Sequence, residues 1–403
     1  MLNAQKRKER NEIPHKLPLY IETHIFPSDS LFTCLISYKI PFSNILFIKE
    51  NTQYTSGYTI SFELYINENL YKRIYSSSEV STDNYSETLS ENIYSEGFVA
   101  FEITEGNFQI RPSIIINNTD IEARIKPIEL IVDSTQIYKP FFVNRTKLIC
   151  DSINYQLVNF QNSIPFSEGG CDMLIPSFSE FQKSINLEIL QNDKSIMNSK
   201  IYDTIFLNET VSSCNNQIVF TSDSTLPLIK FFKVNNVNQK LAEGEFEVSL
   251  ELGKENINYK LPVLWFNKPN SLNNIEEAID YLTIIGLSKS ADSLSNFSED
   301  AEYKALFNFW RRYDDDTSTV FNSVFAEYYS RIDYVKEEFN SVGKNDALET
   351  DRGRTYINLG RPDNIARKFN DVYDVIEVWE YKSLNEKIYF SDKTGTGKFE
   401  RIK

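Results

Sequence analysis

At Lys268-Pro269-Asn270 the apolar residues of this chain change period, and that change divides what the chain can fold into. Before it, apolar and polar residues alternate in short runs. After it, apolar residues recur at three- and four-residue steps. A period of two belongs to strands with one buried face, and a period of 3.6 to helices.

In the first part, Phe32 to Ile40, Thr59 to Ile66, Gly97 to Ile103, Phe108 to Ile110 and Ala123 to Val132 read as strands, separated by polar clusters such as Ser76 to Asn92. The style continues from Asn144 to Phe266, with strand patterns at 185–190, 201–206, 217–221, 228–234, 245–252 and 258–265. Phe246, Val248, Leu250 and Leu252 mark an inner face there, and Glu245, Glu247, Ser249 and Glu251 an acidic outer one. Many short strands with polar turns and no helical pattern predict antiparallel β-sandwiches.

Beyond residue 270, Ile275, Ala278, Ile279, Leu282 and Ile285 fall at helical spacing behind Asn274, a good N-cap, with Glu276 and Glu277 in the first turn. A second helix is expected from Glu299 to Tyr313 and a third from Ser318 to Asn340, with Asp314-Asp315-Asp316 just ahead of it. Strands then return at 354–359, 375–381, 386–390 and 398–402. The expected organisation is a flexible tail (1–17), a first β-sandwich (18–140), a second (141–268), and an α+β module (269–403) whose helices precede a small antiparallel sheet. The fold class is thus multidomain β plus α+β.

Composition supports real cores. The 403 residues exceed what one ordinary core holds, and 29 Phe with 23 Tyr supply apolar surface. The formal net charge of −15 disfavours nucleic acid, which demands a basic stripe; the cluster Lys6-Arg7-Lys8 with Arg10 reads as a solvated tail. No apolar run of about 18 residues exists, so no transmembrane helix is expected. The start, Met1-Leu2-Asn3-Ala4-Gln5, fits a trimmed export signal or a cytoplasmic beginning, and both stay open. Cys34, Cys150, Cys171 and Cys214 lack the close pairing of a zinc site and read as isolated buried thiols; a bridge among the last three is open if the protein is exported. No cofactor motif is present.

The densest stretch of punctuation is Glu349 to Asp363: a charged turn at Thr350-Asp351-Arg352-Gly353, an apolar strand, and a Gly360-x-Pro362-Asp363 turn. With Phe309-Trp310, Asp314, Asn322, Tyr328-Tyr329, Arg331 and Phe339 before it, and Trp379-x-Tyr381 and Phe390-x-Asp392 after it, this ordered set resembles the GWxTD domain of bacterial envelope-associated proteins, over about Ile275 to Lys403. The naming motif departs here, reading Ala347-Leu348-Glu349-Thr350-Asp351. The resemblance implies a C-terminal domain behind β-rich regions, a periplasmic or outer-membrane-associated location (the alternative being cytoplasmic), another envelope protein as partner, and a family without an assigned activity.

Asp314, Arg331, Asp351 and Arg352 form the candidate charged cluster, catalytic or ligand-binding in one reading. In the other, Asp351 caps a turn and Arg352 ties strand to helix through a carboxylate. Gly353 and Gly360 read as turn glycines. Gly395-Thr396-Gly397-Lys398 fails as a phosphate loop, since Asp392 and Phe399 occupy positions that need Gly and Ser or Thr. A histidine triad is disfavoured because His15 and His24 both lie near the N-terminus. Trp310 and Trp379 read as core. The leading expectation is a non-enzymatic envelope interaction module; the alternatives are a hydrolase with an Asp/Arg site and a carbohydrate- or peptide-binding sandwich.

Overall fold

A computed structural model describes residues 19–28, 31–117, 122–149, 152–179, 181–223, 225–252, 255–339, 347–369, 375–395 and 397–402. The expected tail, with its basic cluster and His15, lies outside them. The chain divides into two compact units, Met1–Trp265 and Phe266–Lys403. It is mostly β, with several antiparallel sheets followed by a helical stretch and a small antiparallel sheet.

The first unit is a stack of sheets. Its three-stranded sheet has Phe32–Pro41 at the centre, flanked by Tyr20–Pro27 and Tyr94–Ile103. On one side lies a six-stranded sheet built on the long hairpin Gln53–Ile66 and Asn69–Thr82 with Gly106–Ile116. Alternation does what it should: Tyr58, Ile60, Phe62 and Leu64 are wholly buried, each contributing on the order of 1.5–3 kcal/mol by leaving water. They meet Cys34, Ile36, Tyr38 and Ile40 in one core. Leu35 points the other way, joining Phe26, Phe141, Phe220 and Phe231 in a second core. The central strand is therefore buried on both faces.

Phe141 belongs to a seven-stranded sheet that includes Asp172–Ser177, also buried throughout. Its neighbour Phe142 faces the opposite side, with its ring 6.3 Å from that of Phe246. Phe246 lies in a five-stranded sheet, where Phe246, Val248 and Leu250 are buried and Glu245 and Glu251 exposed. Between the three- and seven-stranded sheets sit polar groups. The Glu22 carboxylate accepts from Lys139 Nζ and from the Asn162 N–H, and Lys139 also donates to Asn162 Oδ1 and to the Thr23 carbonyl at 2.9 Å. An ion pair removed from water is tolerable only when its remaining valences are filled in this way.

Three expectations for this unit need correction. Ser76 to Thr82 is strand, not turn, because its hydroxyls pair across the hairpin, Thr59 Oγ1 lying 3.0 Å from Ser77 Oγ. Only the short helix α1 (Tyr85–Thr88), capped by Asn84, falls inside the expected polar break. The run 123–132 is two strands, Glu122–Arg124 and Ile128–Val132, separated around Pro127, which lacks an N–H to donate. Cys34 and Cys171 are free and buried as expected, but Cys214 is disulfide-bonded.

The second unit begins with helices. α2 (Ile275–Asp280) starts where Asn274 accepts from the Glu277 N–H at 3.2 Å; it tightens into a 3-10 turn, Tyr281–Ile285, and stops at Gly286 with φ 80°. α3 (Ser288–Leu294), unforeseen in the sequence, and α4 (Glu299–Trp310) follow. α5 (Ser323–Glu338) starts at Asn322, whose side chain accepts from the Phe325 N–H at 2.8 Å. Asp314 to Asp316 thus lie in the loop after α4, several residues before that start, and do not sit at the helix end. Tyr328 and Tyr329 donate to the Tyr281 and Ala278 carbonyls, locking α5 to the first helical segment.

The largest correction is at 354–359, a helix and not a strand. α6 spans Asp351–Leu359. After it, Asn364–Phe369, Val375–Tyr381, Glu386–Asp392 and Glu400–Ile402 form an antiparallel sheet in chain order. Trp379 is fully buried, its ring 4.9 Å from Phe390 and 5.7 Å from Phe339. Trp310 is buried too, 4.8 Å from Tyr328.

Candidate functional site

The turn at Thr350 is a helix start. Thr350 Oγ1 accepts from the Gly353 N–H at 3.0 Å, filling a valence that a helix N-terminus leaves open, and donates to the Ala347 carbonyl of the preceding turn at 2.7 Å. That second bond draws α6 onto the short turn Ala347–Glu349. A Cβ on Gly353 would lie 2.1 Å from the Ala347 oxygen, so only glycine fits.

Asp351 occupies the first turn of α6, and its Oδ2 accepts from the Arg401 N–H at 2.7 Å. The helix start is thereby tied to the last strand. Arg352 turns inward, its guanidinium 4.1 Å from the Phe399 ring centroid and 5.0 Å from that of Phe339. It donates to the Gly397 carbonyl at 3.3 Å and to Glu377 Oε1 at 3.4 Å. Burial lowers the Arg352 pKa, and the Glu377 carboxylate opposes that shift.

Glu377 organises this corner. Its side chain is 2% exposed and accepts from the Trp379 indole at 2.8 Å and from Arg367 Nε at 2.7 Å, besides Arg352. Sequence reasoning passed over it. The available signal was its place two residues before Trp379, on the apolar face of the strand Val375–Tyr381. A charge in that position needs a partner.

Arg331 serves the other end of α6. It donates to the Ile357 carbonyl at 3.1 Å and the Asn358 carbonyl at 3.4 Å, and pairs with Glu327 at 2.8 Å. A cation here meets the negative end of the helix. Gly360, at φ 76°, passes close under that guanidinium: a Cβ would come 2.9 Å from it. Pro362 is buried, and Asp363 Oδ2 accepts from the Lys382 N–H at 2.7 Å, closing the turn into the sheet.

Asp314 is elsewhere. It pairs with Arg311 at 2.5 Å, and Arg311 also donates to the Thr319 and Thr317 carbonyls, bracing the loop after α4. The structure therefore gives each of Asp314, Arg331, Asp351 and Arg352 its own partners. Among the described residues none of the four pairs with another.

The glycine-rich turn near the C-terminus carries its own anion. Burial acting alone would raise the Asp392 pKa, but the N–H groups of Gly397, Thr394 and Gly395 donate to its carboxylate and hold it below the usual range. Those three amides are therefore already taken and do not offer themselves to a phosphate. His24 is buried against Phe141, ring centroids 3.7 Å apart, and burial depresses its pKa far below the ordinary value. Among the described residues no group of three or more His, Cys, Asp or Glu side chains could hold a metal ion. Nor is any helix among them long and apolar enough to cross a membrane.

With the helix start, its glycine and the four-stranded sheet in place, the comparison with known families is decisive for this part of the chain: residues 256–401 match the GWxTD domain. The C-terminal part of the chain is a GWxTD domain. The match begins within the strand Glu255–Leu264 and ends within the last strand, Glu400–Ile402. No curated protein matches the sequence. Among solved structures, the titin Ig tandem domains A164-A165 align over 61% of this chain and 96% of theirs, at 10% identity and a TM-score of 0.15. In the GWxTD domain itself, Thr350, Asp351, Arg352 and Gly353 make one helix start, and Gly360, Pro362 and Asp363 carry the chain from that helix into the sheet.

Proposed function

We propose that this protein is a non-enzymatic component of the bacterial cell envelope, whose GWxTD domain engages another envelope protein while the β layers act as its scaffold. One observation carries the reading. Three charged side chains of the motif are committed to holding α6: Asp351 to the last strand, Arg352 to Glu377, Arg331 to the far end of the helix. A nucleophile or general base must reach a substrate, and these groups face backbone amides, carbonyls and aromatic rings instead. The disulfide at Cys214 supports an oxidising compartment outside the cytoplasm.

The test is fractionation of cells making the native chain, combined with a photo-crosslinking residue placed at exposed positions of the GWxTD domain such as Tyr313. The expected result is the chain in the envelope fraction, crosslinked to one envelope protein. Recovery in the cytosol without a crosslink at any position overturns the reading.

A further inference from the structure

Within the GWxTD domain, α3 and α4 enclose a groove of about 630 Å³ that opens to solvent. Its α4 wall presents Ala301, Lys304, Ala305, Asn308 and Phe309, with Arg312 just beyond, at steps of three and four. Across it, α3 contributes Lys289 and Leu294, and Phe297 follows.

The floor is apolar: Leu294 and Phe309 are buried at its base, while Phe297 is 52% exposed. Small residues, Ala301 and Ala305, leave room between the two walls. The rim is cationic. Lys289, Lys304 and Arg312 are all exposed, and no carboxylate lines the groove among the described residues. Arg312 leans over the floor, 4.8 Å from the Phe309 ring centroid. In a chain of net charge −15, three cations around one apolar slot are a local reversal of sign.

We propose that this groove receives an amphipathic helix of a partner protein, its apolar stripe on Phe297, Leu294 and Phe309 and its acidic flanks against Lys289, Lys304 and Arg312. The proposal rests on the interaction reading above and gives it a place. The wall from Ala301 to Arg312 is about 16 Å long, enough for three turns of a docked helix read at i, i+3 or i+4, and i+7. Charge complementarity selects the sign of the flanks. The basic residues at the start of this chain have the wrong sign to fill the slot.

The probe is a labelled synthetic helix of about four turns with Leu and Phe on one stripe and Glu on both flanks. Its controls are a scramble of equal composition and a version with Lys flanks; binding to the full chain is read by fluorescence anisotropy. The Glu-flanked helix is expected to bind, weakening with added salt, and the other two to bind at least about tenfold less tightly. Lys304→Glu with Arg312→Glu should reverse that order, favouring the Lys-flanked helix, while the melting curve stays put because both positions are exposed. Phe297→Ala should weaken both helices.

Equal binding of all three peptides, or indifference to the charge reversals, overturns the proposal. So does concentration-dependent self-association that Lys304→Glu abolishes, which would give the groove to a second copy of this chain. If the peptides fail while envelope crosslinks arise elsewhere on the domain, the groove is wrong and the interaction reading survives. If no crosslink forms anywhere, that reading fails with it.

Discussion

Gly353 shows how little freedom a single position in the helix start has. The Ala347 carbonyl sits where a methyl group would go, and the Thr350 hydroxyl and Val335 lie 3.0 Å from the same point. Gly353→Ala must push α6 off the turn Ala347–Glu349 and break the Thr350 bonds. We expect it to lower unfolding free energy by about 2–3 kcal/mol in urea titration. This holds although glycine to alanine inside a helix ordinarily stabilises. Thr350→Ala removes only the cap, leaving backbone geometry intact, and should cost about 1 kcal/mol by the same measurement. A larger loss for Thr350→Ala than for Gly353→Ala would mean that the close approach is not what holds the turn.

At the scale of elements, α6 is where reading the sequence failed and where the reason is clearest. Thr355, Tyr356 and Ile357 are β-branched or aromatic, and a short run of them suits a pleated strand. The helical stripe was equally present: Gly353, Tyr356, Ile357 and Gly360 stand at three-, four- and seven-residue steps. Packing decides between them, since Tyr356 lies stacked on Tyr334 at 4.4 Å and Ile357 is buried. By contrast α2, α4 and α5 were legible because their apolar steps persist, and α2 also because Asn274 announces its start; the Asn322 cap that sets the start of α5 was not read. The buried Glu377 was hidden for the opposite reason. Alternation located its strand but said nothing of the arginines that only the fold brings to it.

For the whole molecule, the stacking of sheets was beyond sequence reasoning. Phe32–Pro41 carries Ser37 and Lys39 on its second face, polar residues that are nonetheless buried. Lys39 is held among the rings of Phe160, at 4.3 Å, and Tyr94, at 4.6 Å, and its pKa is lowered to about 8 by burial. On the adjacent strand, burial raises Glu96 to about 7, against the Ile218 N–H, Lys39 and Gln156, which lower it. The Ile218 N–H donates to Glu96 across 2.9 Å, joining the three-stranded to the seven-stranded sheet.

A carboxyl raised in the folded state binds its proton more tightly there than in the unfolded chain. Between the ordinary carboxyl range and about pH 7 the folded state therefore holds more protons, and stability falls as pH rises. Urea titrations of the parent and of Glu96→Gln should differ by this slope across that window; buried His24, its pKa depressed in the folded state, adds an opposite slope common to both. An equal slope in the variant would remove Glu96 from the account.

The central claim is that the charges of the GWxTD motif hold the fold and perform no chemistry. Its most direct measurement is a double-mutant cycle between Arg352 and Glu377, using Arg352→Met, Glu377→Gln and the pair, with unfolding free energy read in urea. Both side chains are nearly inaccessible, at 12% and 2% exposure, so Glu377→Gln strands the Arg352 charge, while Arg352→Met leaves Glu377 only the exposed Arg367 as its counter-ion. The account predicts a coupling of about 1–3 kcal/mol, the double variant costing less than the sum of the singles. Coupling near zero, with all three variants as stable as the parent while the protein's role in cells is lost, would contradict it.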